Sequence, residues 1–218
     1  MTNRFESPSA HLAAERGLGS RREQGAQTRE MLLDAAAIEF ERHGVAGTRI
    51  EDIAQRAGVT RGALYFHFKT VENIARELLH GEFGLLPELL EGTRSQNLRG
   101  LRAAREFSLR VIARMRDDLR TRASMHIAEE MGEVNTRGLF LQDWQNILIP
   151  FLQQAIADHE IREDQDIRDT AAVIVECAWG ALLVARESGR AEDLGDRFER
   201  VWSRLLLGIE VDRGPRLV

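Results

Sequence analysis

The sequence predicts an all-α fold: a three-helix helix-turn-helix unit near the N-terminus, followed by a larger helical domain. Three observations point there. Apolar residues recur at helical spacing, as in Leu32, Ala35, Ala36 and Phe40. Helix-stop glycines and N-cap threonines interrupt that pattern at short intervals between Gly44 and Thr70. Alternating apolar and polar runs bounded by glycine turns, the mark of strands, do not occur.

The elements follow in order. Residues 1–25 are polar, poor in aliphatic side chains and without sustained period, and read as a disordered tail. A first helix begins at Thr28 and is ended by Gly44. Thr48 and Glu51 have the spacing of a capping box and open a second helix, with Ile50, Ile53 and Ala54 as its buried face. Gly58 stops it. Thr60 is the N-cap of a short third helix ending near Phe68, and Thr70 with Glu72 starts a fourth. Gly84 and Pro87 should kink or divide that fourth helix, and Pro150 should do the same to a later one. Further helices are read at 97–117, 119–131, 142–159, 167–188 and 193–209, with loops at 92–95, 132–138, 160–166 and 188–190. The domains expected are a tail over 1–25, a helix-turn-helix unit over 26–70, and a larger helical domain over 71–218.

Composition narrows the class. The chain has 218 residues, 43% of them hydrophobic and 30% charged, which suits a soluble protein with a substantial core. No apolar run approaches the roughly 18–20 residues of a membrane span. The first twenty residues carry Arg4, Glu6, Glu15 and Arg16 and no apolar stretch, so no secretory signal is expected. The one cysteine, Cys177, excludes an intramolecular disulfide. A cytoplasmic location is the expectation. The net charge of −5 does not announce nucleic acid, but residues 21–69 hold eight basic and seven acidic residues, so the acidic excess lies elsewhere. Screening over about 8 Å lets a local face act independently of the whole.

The third helix carries the chemistry. A recognition helix must enter a major groove about 12 Å wide. Gly62 and Ala63 leave room for the backbone to approach. Leu64 and Phe68, four residues apart, anchor the helix inward. Arg61, Tyr65 and His67 then point outward. Arg61 reaches a guanine edge with its fork, and Tyr65 offers a hydroxyl to a phosphate or a ring to a thymine methyl. Thr48 and Thr60, with the helix N-termini they cap, suit phosphates, and Lys69 is a further phosphate contact.

From Thr28 to Leu78, and above all over Arg49–Lys69, the chain resembles the N-terminal domain of TetR-family transcriptional regulators. Ile53-Ala54, Ala57-Gly58-Val59-Thr60, Gly62-Ala63-Leu64-Tyr65 and His67-Phe68 stand where that family's signature has them. Phe66 occupies a place where many members carry Trp or Tyr, a tolerated aromatic exchange. The resemblance implies an all-helical homodimer that binds double-stranded DNA at a palindromic operator and is released by a small molecule held in its C-terminal domain. No cofactor, metal or membrane partner is expected.

The chain is also similar to γ-butyrolactone receptor-type regulators, through the combination of Gly62-Ala63-Leu64-Tyr65-Phe66-His67-Phe68, the acidic-Trp pair Asp143-Trp144 and the loop Glu163-Asp164-Gln165-Asp166-Ile167. That similarity implies that Trp144 lines a signal pocket for a γ-butyrolactone, butenolide or furan. Leu148 and Phe151 share its helix face. Phe107, Val111, Ile127, Met131, Cys177 and Trp179 are further wall candidates, and Gln145 or Thr170 a polar handle. Two apolar faces, Ala171, Val175, Ala178 and Leu182 on one helix and Phe198, Trp202 and Leu205 on the next, are read as a four-helix dimer interface. The competing reading has both faces completing a monomer core. Two other functions stand beside the main one: a regulator of an exporter responding to an antibiotic, and a small helical enzyme using the C-terminal pocket. The enzyme needs a nucleophile or metal set. Glu77-x-x-His80 lacks the second copy a di-iron site requires, and His126 with Glu130 reads as a surface pair.

Overall fold

The computed structural model describes residues 8–132 and 134–209. Those residues form ten α-helices and one 3₁₀ turn, with no β-strand. The helices are α1 (Pro8–His43), α2 (Ile50–Ala57), α3 (Arg61–His67), α4 (Val71–Phe83), α5 (Leu85–Arg94), α6 (Gly100–Asp117), α7 (Leu119–Glu130), α8 (Val134–Ala157), α9 (Ile167–Glu187) and α10 (Leu194–Ile209), with the 3₁₀ turn at Ala191–Asp193. The chain divides into two compact units, Met1–Leu78 and Leu79–Val218. The boundary therefore falls inside α4, eight residues beyond the expected one at 70. No helix of the described residues is long and apolar enough to cross a membrane.

In the first unit the helical stripe behaves as read. Leu32, Ala35, Ala36 and Phe40 of α1 are buried, with Ile53, Ala54 and Ala57 of α2, Leu64 of α3, Phe68, and Ile74, Ala75 and Leu78 of α4. Gly44 and Gly58 take left-handed φ values of 69° and 67° after α1 and α2, which glycine adopts without a Cβ penalty. The Gly58 N–H donates to the carbonyls of Ala54 and Gln55. Thr60 caps α3, its Oγ1 accepting from the Ala63 N–H at 3.2 Å. Thr70 Oγ1 accepts likewise from Asn73 at 3.2 Å. Its hydrogen bond with Glu72, then that residue's backbone N–H, hold the Glu72 carboxyl below the usual carboxylate range.

Two expectations fail here. Residues 8–25, read as disordered, form the first half of α1. Ala, Leu, Glu, Arg and Gln outnumber glycine in that stretch, and polarity alone does not oppose a helix. Residues 1–7 of the expected tail lie outside the described residues. The capping box also fails, because α2 starts one residue late. Its N-cap is Arg49, without a side-chain cap, while the Thr48 hydroxyl donates to the Gly44 carbonyl at 2.7 Å.

Ion pairs tie the small unit together. Arg56 of α2 pairs with the buried Glu39 of α1. Arg29 of α1 forks onto Glu77 of α4, and its guanidinium carbon lies 5.2 Å from the centre of the Phe68 ring. One cation thus touches both α4 and the residue that closes α3.

The second unit builds its core from α6, α8, α9 and α10, around Phe107, Val111, Trp144, Leu148, Val175, Phe198 and Trp202. Helix α6 starts at Gly100, not residue 97, because Asn97 takes a φ of 55° and Gly100 one of 53°. A Cβ on Gly100 would collide with the Glu160 carboxylate, which accepts the Leu101 N–H at 2.8 Å and so caps α6 from the α8–α9 loop. Pro87 lies in the first turn of α5, where no N–H is needed, and α4 and α5 are divided as expected. Pro150 does not divide α8. Buried Trp144, Leu148 and Leu152 hold the helix on both sides of it. Helix α8 also begins at Val134, inside the expected loop.

The Arg29–Glu77 fork is testable by urea unfolding of Arg29→Ala, Glu77→Ala and the double variant. The pair is partly exposed, so a coupling of about 0.5–1 kcal/mol is expected. It should shrink in about 1 M NaCl. Arg29→Ala should cost more than Glu77→Ala, because it also uncovers Phe68. Strictly additive losses would contradict the assignment.

Candidate nucleic-acid interface and ligand cavity

Helix α3 turns two faces in opposite directions. Leu64 and Phe68 are buried. Arg61, Gly62, Tyr65 and Phe66, at i, i+1, i+4 and i+5, are exposed together on the other side, and Lys69 is exposed just beyond the end of the helix. Tyr65 is 40% exposed and Phe66 81%. Ala63 and His67 are half-buried at the flank, with the His67 ring edge-on to Phe66 at 5.2 Å. A Cβ on Gly62 would meet only Thr60 Oγ1, at 3.9 Å, so this glycine leaves a bare patch on the outward face. Arg61 stands 3.9 Å from Glu51, a long and exposed pairing that leaves the guanidinium free to turn. Lys69 Nζ donates to the Tyr65 carbonyl at 2.9 Å.

Of the sequence-derived DNA contacts, the structure brings Thr60, Arg61, Gly62, Tyr65 and Lys69 to one surface, with Ala63 and His67 at its edge. Thr48 is not on it, being buried with its hydroxyl donated inward. Phe66 was missed. Its spacing of i+4 from Gly62 places it on the outward face by the same argument that placed Tyr65.

The second unit holds a cavity of about 50 Å³. Leu79, Leu85, Met115, Met125, Phe140 and Trp179 form most of its wall, with Thr121, Ser124, Ala128 and Arg137 completing it. Trp179 is the one sequence-derived candidate on that wall. Phe107, Val111, Ile127 and Leu148 are fully buried core residues, while Met131 and Phe151 are half-buried elsewhere. Thr170 spends its hydroxyl on the Asp166 carbonyl at 2.8 Å. Trp144 stands one layer behind the cavity, its ring centre 6.3 Å from that of the lining Phe140. It is completely buried, yet its Nε1 has no hydrogen-bond partner among the described residues, and neither has Oγ of buried Ser108 on α6. A buried donor left unpaired costs about 1–3 kcal/mol, so the Trp144 N–H marks a place where an outside acceptor would be rewarded.

A second, open groove of about 550 Å³ runs between α9 and α10. Cys177, Gly180, Ala181 and Val184 form one wall, and Arg197, Arg200, Val201, Arg204 and Leu205 the other. Cys177 therefore belongs here and not to the smaller cavity. The residues read as a dimer face are turned the other way. Ala171, Val175, Ala178, Leu182, Phe198 and Trp202 are buried in the core of this one chain, and only Leu205 lies on the open side. The outer side of α9 is apolar, whereas that of α10 mixes Val201 and Leu205 with three arginines. The bulkier Phe198 and Trp202 fill the core and the smaller Gly180 and Ala181 are left outside.

Residues 32–78 match the profile of the bacterial regulatory proteins of the TetR family. The A-factor receptor protein of Streptomyces griseus is 30% identical over 190 residues, covering 84% of this chain and 64% of the receptor. The chain thus spans just under two thirds of that relative's length. The structure of the TetR family protein CprB from S. coelicolor superposes with a TM-score of 0.71 at 25% identity, covering 89% of this chain and 95% of the other. A crystal structure of a γ-butyrolactone receptor superposes with a TM-score of 0.58 at 25% identity, covering 82% and 98%.

Proposed function

Since the chain belongs to the TetR family of bacterial regulatory proteins, we propose that it is a transcriptional repressor that binds a palindromic operator as a dimer and is released by a small hydrophobic signal. The observation that carries this reading is the outward face of α3, where an arginine and a tyrosine flank a bare glycine on a helix anchored from behind. Gly62 lets the backbone close on the base edges. Arg61 reads a guanine, while Tyr65, Lys69 and the Thr60-capped N-terminus hold phosphates.

The ligand is an oxygen-bearing hydrophobic molecule of the γ-butyrolactone, butenolide or furan kind. Its apolar part fits Met115, Met125, Phe140 and Trp179, and its carbonyl takes the Trp144 N–H once Phe140 moves aside. A cavity of about 50 Å³ is far below the roughly 300–1,000 Å³ of ordinary ligand pockets. The ligand must therefore select a widened state of this unit, which is itself the condition for a switch. Leu79 on the cavity wall and Glu77 on the Arg29 fork are two residues apart on α4. A shift of that helix reaches Phe68, and with it α3. Reversing an occupancy of 1:99 needs about 5.5 kcal/mol of differential affinity.

The second copy docks on the α9–α10 groove, where Val184 is 52% exposed and Gly180 and Ala181 permit close helix approach. Arg197, Arg200 and Arg204 there suit carboxylates of the partner copy.

Two measurements test these assignments. In a duplex gel-shift with a long-chain acyl γ-butyrolactone, wild type should release its operator and Trp144→Phe should stay bound. Equal release by both would contradict the role of the Trp144 N–H, and release by hydrophobic drugs alone would favour an exporter regulator. In sedimentation, Val184→Arg should convert a dimer to a monomer of unchanged helicity. A variant that stays dimeric would place the interface elsewhere.

A further inference from the structure

We propose that Phe66 reads the 5-methyl group of a thymine in each operator half-site, and so is a specificity-determining residue of the DNA interface. The inference rests on the reading of α3 as the recognition helix. Phe66 is the most exposed of the large apolar side chains in the described residues, at 81%. A single exposed apolar residue needs no explanation by itself. Its place does, because it stands in the middle of the outward face, between Tyr65 and the turn that holds Gly62.

The geometry leaves the ring reaching outward. Side chains on a helix lean toward its N-terminus, so Phe66 leans over the preceding turn. That position is Gly62, which has no side chain, and even a Cβ there would find only Thr60 Oγ1 at 3.9 Å. The ring is steadied from one side by the edge of His67 at 5.2 Å. It is positioned without being covered.

Major-groove chemistry then chooses the partner. Guanine, cytosine and adenine present hydrogen-bonding atoms there, which an apolar ring would desolvate without compensation. Thymine alone adds a methyl group. A phenylalanine in the groove is therefore selective for a thymine by gain at the methyl and by loss at every other edge. Arg61 lies five residues away, about 7.5 Å along the helix, so this thymine falls within about two base-pair steps of the guanine that Arg61 reads.

The test uses the full chain and a duplex that it selects from a random pool. Each thymine is replaced in turn by uracil, which removes only the methyl, and affinity is measured for wild type and for Phe66→Ala. Exposure of Phe66 means that the variant should melt at the wild-type temperature. Wild type should lose about fourfold at one thymine per half-site, the worth of one buried methyl. Phe66→Ala should bind the same duplex more weakly, with that uracil substitution no longer mattering. If no thymine is methyl-sensitive in wild type, or the sensitivity survives in Phe66→Ala, the assignment to Phe66 is wrong while the recognition helix stands. If the chain selects no duplex, the recognition reading falls and this inference falls with it.

Discussion

A helix of seven residues does not persist alone in water, where isolated helices shorter than about 12–15 residues are marginal. Helix α3 exists because Leu64 and Phe68 are driven into the core made by α1, α2 and the first turns of α4. That anchoring decides everything on the opposite side. With two positions four apart fixed inward, Arg61, Gly62, Tyr65 and Phe66 have no choice but to face out. The Thr60 cap sets where the helix begins, and Gly58 sets the turn that brings it back against α2. The surface that would meet DNA is therefore a by-product of how a short helix is held down.

The same anchor is tied to α4. Phe68 is buried, but the Arg29 guanidinium lies against its ring and is itself forked onto Glu77 of α4. Under the proposed switch, a movement of α4 would shift that cation, which lies against the residue that ends α3. On the other unit, Leu79 of the same helix lines a cavity too small for an ordinary signal molecule. A protein with a roomy preformed pocket could bind without changing shape. Under the proposed function, a signal molecule would select a wider state of this cavity, with Leu79 of α4 on its wall.

Much of this was legible in the sequence, and the failures have physical causes. The helical stripe of α1, the Gly44 and Gly58 stops, the Thr60 cap and the Leu64–Phe68 anchor all depend on local chemistry within a few residues, which a sequence displays directly. The capping box at Thr48 failed by a single residue, because a threonine can as well bond back to the carbonyl four residues before it. The dimer face failed because the apolar stripes of α9 and α10 that looked free to pair are the ones that meet the core, and periodicity does not say what a stripe packs against. The cavity wall failed for a related reason. Phe107, Val111 and Leu148 have the right character, but the walls are set by where α5, α7 and α8 leave space, a property of packing between elements far apart in the chain. Glu160 capping α6 across 59 residues lies equally beyond any local pattern.

The account stands or falls on how α3 meets DNA. The most direct measurement is footprinting of the full chain on a duplex it selects, combining hydroxyl-radical cleavage with methylation of guanine N7, which lies in the major groove. The account predicts two protected patches on one face of the duplex, related by a dyad and about one helical turn or a whole multiple of it apart. It also predicts a protected guanine N7 in each patch that Arg61→Ala exposes. A single patch, or guanine protection that survives in Arg61→Ala, would contradict it.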